Sequence, residues 1–301
     1  MIILEDLPLK ERLKYLESRK PAHKLGNIKR RYKSRFTNVY KIKKDTLSHV
    51  SAENIIDVCL LKQYTDSYDF DFVVSESKVL QGLEFLPYVY MNLLDTISKI
   101  KNHITCRVNS FGLVVDILNK QELKDKWLPL KNELLNNNDF KKSFNEEDLK
   151  KLIEAGDMEY VKNVGSLIPE LNKNIVFLSL FMGFIDREKI QKRDFYSYIF
   201  PENKILGDLF IEKEQEDNKL LTFSIVCQKS SIDRTSFKKK YLSNFFFLQE
   251  PFDEHYFDFL SLYTIEKETN WIENIKLTLD EKINEAVSVN IICEIQKIEN
   301  I

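Results

Sequence analysis

The residue types best suited to chemistry are concentrated between Pro251 and Asp258. This segment contains Asp253, Glu254 and His255. Carboxylates beside an imidazole are the groups that acid–base catalysis or metal binding uses. A polar loop between two aromatic strands has the same composition, because Asp favours turns. The sequence favours the loop, and it predicts no catalytic residue in this segment.

A second candidate is the pair Asp69 and Asp71, which alternates with Phe70 and Phe72. Alternate side chains of a strand point to the same face, so the pattern predicts both carboxylates on one face and both rings on the other. Two neighbouring carboxylates could hold a cation or act as an acid–base pair. Because Asp is mostly exposed in folded proteins, the sequence favours a solvated sheet face.

The histidines and cysteines predict no metal site. His103 and Cys106 have the two-residue gap of half a zinc site, but the sequence has no second pair with that spacing. Alternation along a strand would also direct them to opposite faces. The four cysteines lie far apart in apolar stretches, which favours buried, reduced thiols of a cytosolic protein: Cys59, Cys106, Cys227 and Cys293.

No segment predicts a nucleotide site or an activated nucleophile. The 7 glycines are spread singly, so no phosphate-binding loop is expected. The hydroxyl-rich segment around Asp233 and Arg234 is typical of a turn. We therefore predict no cofactor and no enzymatic activity, while an enzyme or toxin with an unrecognised site stays open as an alternative.

Charge is distributed unevenly along the chain. Residues 1–44 contain 14 Lys or Arg and 4 Asp or Glu, a balance of +10, and the remainder contains 31 against 43, a balance of −12. A dense basic cluster lies in this leader, and its members are the predicted partner-binding residues: Lys24, Lys29, Arg30, Arg31, Lys33 and Arg35.

Three interpretations of the basic cluster are open. It could bind nucleic acid, dock on an acidic protein surface, or fold back on the acidic body of its own chain. A single tyrosine among the basic residues is too little aromatic character for a base-stacking platform, so nucleic acid is the weaker hypothesis. The sequence thus predicts a protein partner with an acidic surface that faces the leader.

Residues 103–135 are predicted to form the element around which the rest of the chain is organised. The pattern indicates two strands joined by a turn over residues 103–118. Asn119, with Glu122 three residues later, predicts a capping box at the start of a helix. Apolar residues at helical spacing then form the buried side of that helix: Leu123, Trp127, Leu130 and Leu134.

Strand patterns before and after a helical middle segment predict an α+β fold. Residues 36–80 alternate as strands, and helical patterns cover residues 83–101 and 136–194. Seven later segments show strand patterns: Phe195–Phe200, Ile205–Glu212, Leu220–Gln228, Tyr241–Leu248, Tyr256–Glu266, Trp271–Leu279 and Ala286–Ile298. We predict one or more curved antiparallel sheets, covered on one face by the helical middle segment.

The predicted domains are a basic N-terminal arm at residues 1–35 and a single α+β domain at residues 36–301, with subdivision near residue 145 as the alternative. The first residues are acidic where a signal peptide would be basic. The longest apolar run, Ile175–Ile185, is too short to cross a bilayer and predicts a buried helix. These observations predict a soluble, cytoplasmic protein without membrane insertion.

One stretch carries a family resemblance. From Asn109-Ser-Phe-Gly112 to Trp127, with Leu-Asn-Lys-Gln-Glu-Leu between them, it resembles the strand–turn–strand–helix of cytosolic accessory proteins near contractile, type VI-like, secretion systems. The composition, rich in Lys, Asn, Ile and Phe, is similar to that of Bacteroidota-type bacterial proteins. The resemblance covers a small part of the chain and implies complex assembly, with no catalytic residue.

These observations predict a non-catalytic protein-binding or assembly protein, such as an adaptor or structural component of a contractile secretion or injection system. In that case the basic leader would dock on the partner. The alternative is an immunity protein or inhibitor that occludes a toxin, because an acidic body of −12 would suit a basic target.

Overall fold

The computed structural model describes residues 28–82, 93, 96–136, 144–185 and 191–299. Lys24 and the rest of residues 1–27 lie outside the described residues. Most of the predicted helix at 83–101 also lies outside them, and its described part, residue 93 and residues 96–100, is helical.

Eleven strands of the described chain form one antiparallel sheet: β1 Ile28–Ile42, β2 Asp45–Gln63, β3 Ser67–Gln81, β4 His103–Asn109, β5 Val114–Ile117, β6 Gln191–Tyr196, β7 Lys204–Glu216, β8 Leu220–Ile232, β9 His255–Glu266, β10 Ile272–Ile283 and β11 Val287–Ile298. Their order across the sheet is β5-β4-β3-β2-β1-β11-β10-β9-β8-β7-β6. The last six strands are neighbours in chain order, which confirms the predicted antiparallel meander.

Five α-helices have defined bounds in the described chain: α1 Lys120–Asn136, α2 Glu146–Asp157, α3 Leu167–Lys173, α4 Ile175–Met182 and α5 Arg234–Asn244. A π-helical turn at Met158–Lys162 and a 3-10 turn at Val164–Ser166 connect α2 to α3. None of the helices within the described ranges has both the length and the apolar character that crossing a membrane requires.

Helix α4 lies inside the curve of the sheet, and all of its residues are buried. Phe177 packs against Phe72 of β3, with ring centroids 4.0 Å apart. From the other half of the sheet, Tyr263 of β9 donates its hydroxyl hydrogen to the carbonyl of Ser179 at 2.8 Å. Because β3 and β9 are far apart in the strand order and both contact α4, the sheet must curl around this helix.

The two edges of the curled sheet meet on the same side of the molecule. Arg193 of β6 donates to the carbonyl of Phe111, in the turn between β4 and β5, at 2.6 Å. Asn172 of α3 both donates to and accepts from the backbone of Val114 in β5, each at 2.9 Å. These contacts cover edge groups that could otherwise pair with another chain. Burial lowers the pKa of Arg193 to about 10.

The prediction that the helical middle segment covers the sheet is wrong. The structure has one large sheet that the helices do not cover, and the sheet instead surrounds α4. The reason lies in the composition of Ile175–Met182, which has no polar side to expose. A helix that is apolar all round must be buried all round, which a position on one open sheet face cannot provide.

Strand β1 lies at the centre of the sheet, between β2 and β11, and joins the first five strands to the last six. Tyr32 is 0% exposed. Its hydroxyl donates to the carbonyl of Ile272 at 3.1 Å. The predicted boundary between arm and domain at residue 35 therefore falls inside β1, and residues 28–35 belong to the sheet.

The two strands and the helix predicted within residues 103–135 are confirmed as β4, β5 and α1, although β5 is an edge strand. The predicted capping of α1 by the Asn119 side chain is wrong. Asn119 Oδ1 accepts the backbone N–H of Thr105 at 3.0 Å, while its Nδ2 donates to Glu122 at 3.1 Å. The Asn119 side-chain oxygen therefore binds the backbone of β4 and not the first turn of α1.

The predicted strand Tyr241–Leu248 is also wrong, because it contains the end of α5 and the turn that follows. Asp233 caps this helix by accepting the N–H groups of Thr235 and Ser236 at 3.1 and 3.2 Å. The predicted hydroxyl-rich turn is thus a helix start. Aromatic residues at helical spacing then bury one side of the helix: Phe237, Tyr241 and Phe245.

Replacement of Gly156 in α2 should destabilise the protein. An added Cβ would lie 2.2 Å from the buried Trp127 ring. We expect Gly156→Ala to lower the free energy of unfolding by about 1–3 kcal/mol through overpacking. At an open helical position the same change raises stability by about 0.5–1 kcal/mol. Gly165→Ala is the control, since its added Cβ meets only the Asn163 side-chain oxygen, at 3.2 Å. Urea unfolding measures both, and a stabilised Gly156→Ala variant would contradict the packing argument.

Candidate interaction surface

The basic cluster predicted from the sequence lies on β1 in its described part, and most of its members pair with acidic groups of the sheet. Arg31 Nε donates to Asp57 Oδ1 of β2 at 2.8 Å, and Lys29 Nζ lies 3.3 Å from Asp57 Oδ2. Asp57 is buried, and the hydrogen bond from Arg31 holds the pKa of its carboxyl below the usual value.

Arg30 and Lys33 form further pairs, with Glu266 at 3.3 Å and with Glu53 at 2.9 Å. Arg35 is exposed, and the structure gives it no ion pair with any described residue. Four described members of the cluster therefore fold back on their own chain, which is one of the three interpretations that the sequence left open. These ion pairs could not be predicted from the sequence, because the pairing register of the strands determines which distant acid lies beside each base.

Asp69 and Asp71 lie on the sheet face that is turned away from α4, while Phe70 and Phe72 are buried beneath, as the alternation predicts. Asp69 accepts from Arg107 Nε at 2.7 Å. Burial would raise the pKa of Asp69, but hydrogen bonds from Arg107 and from a tyrosine hydroxyl outweigh it and hold the pKa below its usual value. The pair is thus engaged in salt bridges, not arranged around a cation.

His103 lies between two carboxylates on this face. Its Nε2 is 2.7 Å from Asp71 Oδ1, and its Nδ1 is 2.8 Å from Glu122 Oε1. Burial alone would lower the pKa of His103, but the hydrogen bonds and charges of the two acids raise it above the usual value. Burial would raise the pKa of Glu122, but Lys126, Asn119 and His103 bring it to about 2. Both ring nitrogens are occupied, so the imidazole offers no free base.

The stability that His103 contributes should depend on pH. Its pKa is raised in the folded state, so the contribution is complete below the unfolded pKa of about 6.5 and is lost as pH rises through the folded pKa. We expect His103→Gln to cost about 1 kcal/mol near pH 6 and less near pH 9, measured by urea unfolding. Glu122→Gln should lower the pKa of His103 in an NMR titration. An equal cost at both pH values would contradict this account.

The candidate site between Pro251 and Asp258 is not assembled, in keeping with the loop that the sequence favours. Asp253 and Glu254 are exposed in the segment before β9. Asp258 lies three positions after His255, on the opposite face of β9. Only His255 points inward. Over the described residues, no three His, Cys, Asp or Glu side chains are arranged so that they could hold a metal ion.

His255 instead contacts Glu281 of β10, a buried carboxylate that the sequence did not identify. Glu281 is 0% exposed, and its Oε1 accepts from His255 Nε2 at 3.1 Å and from the Ser197 hydroxyl. Its Oε2 accepts the backbone N–H of Tyr198 at 2.6 Å. Because Ser197 donates to the carboxylate and not to the imidazole, the three side chains do not form a Ser–His–carboxylate triad. The cluster holds the segment after β6 in place.

The cysteines are all free thiols, and three of them are buried, as predicted: Cys106, Cys227 and Cys293. Burial raises the pKa of Cys293 to about 12 and that of Cys227 to about 11. Cys59 is half-buried, and burial together with the charge of Asp71 raises its pKa as well. These groups stay protonated at neutral pH, so they are poor nucleophiles.

A pair of highly exposed aromatic side chains lies in the turn after helix α5. Phe246 is 82% exposed, Phe247 is 56% exposed and Leu242 in the last turn of α5 is 55% exposed. The two rings contact each other edge to face, with centroids 5.8 Å apart. Exposed apolar side chains normally occur singly, and a cluster of large ones marks an interaction site.

Helix α5 positions this cluster through its two sides. The side with Phe237, Tyr241 and Phe245 is buried, and this anchors the helix on the sheet. On the other side of the helix, three residues at four-residue spacing are exposed: Arg234, Lys238 and Leu242. Lys239 is exposed beside this row. We call Lys238, Lys239, Leu242, Phe246 and Phe247 the α5 surface.

The α5 surface is not expected from the sequence, because the aromatic run at Tyr241–Leu248 has the pattern of a strand. Asp233 followed by a helix-spaced set of aromatic residues is the signal that could have identified the helix. The exposed rings carry no such signal, because Phe245 and Phe246 are the same residue type and only packing decides which one is buried.

Comparisons with known proteins show no family membership. No protein-family model matches the chain, and no curated protein matches it. A solved structure concerned with lipid–protein interactions in lipovitellin is similar at 9% sequence identity with a TM-score of 0.45. The match covers 90% of this chain and 25% of the lipovitellin chain, so this chain spans about a quarter of that protein's length. Similarity at this level defines neither a family nor a function.

Proposed function

We propose that this protein is a non-catalytic binding protein that docks on its partner through the α5 surface. The observation that carries the proposal is the exposure of Phe246, 82%, in contact with exposed Phe247, with exposed Leu242 four residues earlier in the chain. Aromatic side chains supply most of the binding energy when they are buried at an interface. Leaving two rings and a leucine in water is unfavourable unless a partner covers them.

The surrounding structure supports the proposal because it holds this surface rigidly. The buried side of α5 packs on the sheet, and Tyr241 donates its hydroxyl hydrogen to the carbonyl of Glu250 at 3.0 Å. Asp233 fixes the start of the helix. A surface that is already in its binding conformation loses less entropy on association.

The experiment is photo-crosslinking from position 246 in the full-length chain, in the cells that produce it. With p-benzoylphenylalanine in place of Phe246, we expect an adduct that does not form from position 158. Met158 is the control because it is 51% exposed and belongs to the turn after α2. Equal labelling from both positions, or no adduct with a protein or a lipid from either position, would reject the α5 surface as the docking site.

We propose that this binding serves the assembly of a larger complex, as the sequence predicts. The protein would then be a cytoplasmic adaptor or structural component of a contractile, type VI-like, secretion or injection system. That machine is suggested by the family resemblance. Docking of the basic cluster on an acidic protein surface also stays a prediction, now centred on Lys24 and Arg35, since Lys29, Arg30, Arg31 and Lys33 are paired within the chain. The immunity or inhibitor role of the acidic body stays the alternative prediction.

A further inference from the structure

The α5 surface combines exposed apolar side chains with exposed cationic side chains. Leu242 follows Lys238 by four residues and Lys239 by three, so both lysines are its neighbours on the helix. Phe246 and Phe247 continue the apolar part beyond the end of the helix. A ring that is 82% exposed stands out from the surface and does not line a groove.

The charges around this surface leave the two lysines uncompensated. Three acids around α5 are each paired with a base: Glu202 with Lys240 at 2.7 Å, Glu250 with Lys43 at 3.0 Å and Asp253 with Arg234 at 3.8 Å. Asp233 caps the start of the helix by accepting backbone N–H groups. Lys238 and Lys239 have no ion pair with any residue that the structure describes. The two lysines therefore place unpaired positive charge beside Leu242, which favours an anionic partner.

The residue types favour a lipid surface over a protein surface. Protein interfaces are enriched in aromatic residues, including Phe, and in Arg, but they are depleted in Lys, so the two lysines are the residues that discriminate. Interfacial membrane helices instead combine Lys with Phe and Leu, because the rings enter the boundary between headgroups and acyl chains while the lysine amines stay at the headgroups. Leu242, Phe246 and Phe247 with Lys238 and Lys239 have this composition.

We propose that the partner of the α5 surface is an anionic membrane surface, on which the protein docks peripherally. This inference rests on the proposed function of the same surface. The two phenylalanine rings insert to the depth of the headgroup boundary. Lys238 and Lys239 lie at the lipid phosphates, so binding weakens as salt screens their charges.

The test is sedimentation of the full-length protein with phosphatidylcholine vesicles that contain phosphatidylserine, compared with vesicles of phosphatidylcholine alone. We expect stronger binding to the anionic vesicles. The double variant Phe246→Ser, Phe247→Ser should bind at least about tenfold more weakly, since both rings leave the bilayer. The double variant Lys238→Glu, Lys239→Glu should bind anionic vesicles about tenfold or more weakly as well.

Matched controls separate these effects from nonspecific ones. Lys150→Glu with Lys151→Glu makes the same charge change at two adjacent lysines of α2, which are 75% and 66% exposed. Met158→Ser removes an exposed apolar side chain elsewhere. Both controls should bind anionic vesicles like the unmodified protein. Near-ultraviolet circular dichroism should show that the α5 variants keep the packing of their buried aromatic residues.

Two outcomes would overturn the membrane inference. One is absence of binding to anionic vesicles at low salt, and the other is binding that the phenylalanine variant retains. If the protein does not bind anionic vesicles but position 246 still forms a specific adduct with a protein, the surface docks on a protein. The proposed function then survives. If neither vesicles nor an adduct at position 246 is found, both proposals fail.

Discussion

Removal of residues 1–35 should abolish folding, although the sequence alone suggests that it would remove only a basic arm. The cut would delete residues 28–35 of β1, which pair with β2 on one side and β11 on the other. It would also delete Tyr32, which is 0% exposed. Loss of a buried ring of this size costs about 3–5 kcal/mol by itself. Loss of the central strand pairing adds to this, and small domains have only about 5–15 kcal/mol in total.

The control for this truncation is a chain that begins at residue 27, because every described strand starts after that point. It should retain the cooperative thermal unfolding and far-ultraviolet circular dichroism of the full chain. Tyr32→Ala should fall between the two truncations. If the chain that begins at residue 36 unfolds cooperatively near the full-length midpoint, β1 is not the central strand. Any loss of a partner on removal of residues 1–35 would reflect unfolding, not loss of a docking arm.

Glu281→Ala should lower the free energy of unfolding by about 3–5 kcal/mol. Glu281 is 0% exposed, and its oxygens accept from the Ser197 hydroxyl, the Tyr198 N–H and His255 Nε2. Truncation leaves all of these donors buried without an acceptor, and each unsatisfied buried donor costs about 1–3 kcal/mol. Urea unfolding at constant pH measures the loss.

The matched control for this prediction is Asp280→Ala, which removes the neighbouring carboxylate of the same strand. Asp280 faces outward and accepts from Asn290 at 2.8 Å, so its loss should cost less than about 1 kcal/mol. Glu281→Gln retains an acceptor oxygen and should give an intermediate loss. A Glu281→Ala protein as stable as the Asp280→Ala protein would show that the buried network does not stabilise the fold.

Sequence periodicity alone was enough to locate most of the strands and the buried helix. Alternation placed Asp69 and Phe70 on opposite faces, because a strand turns every second side chain to the same face. The apolar run at Ile175–Ile185 predicted a buried helix, and α4 within it has no exposed side. These features depend only on neighbouring residues, so they can be recognised without knowledge of the fold.

The tertiary structure decided what those elements surround and which charged groups meet. Whether a sheet lies under a helix or curls around it depends on contacts between distant strands, such as that of Tyr263 with Ser179. The pairing of Arg30 with Glu266 depends on the strand order, which no local pattern contains. The exposure of Phe246 beside buried Phe245 follows from how α5 docks on the sheet. Local patterns therefore determined the strands and helix α4, while long-range packing determined the candidate interaction surface.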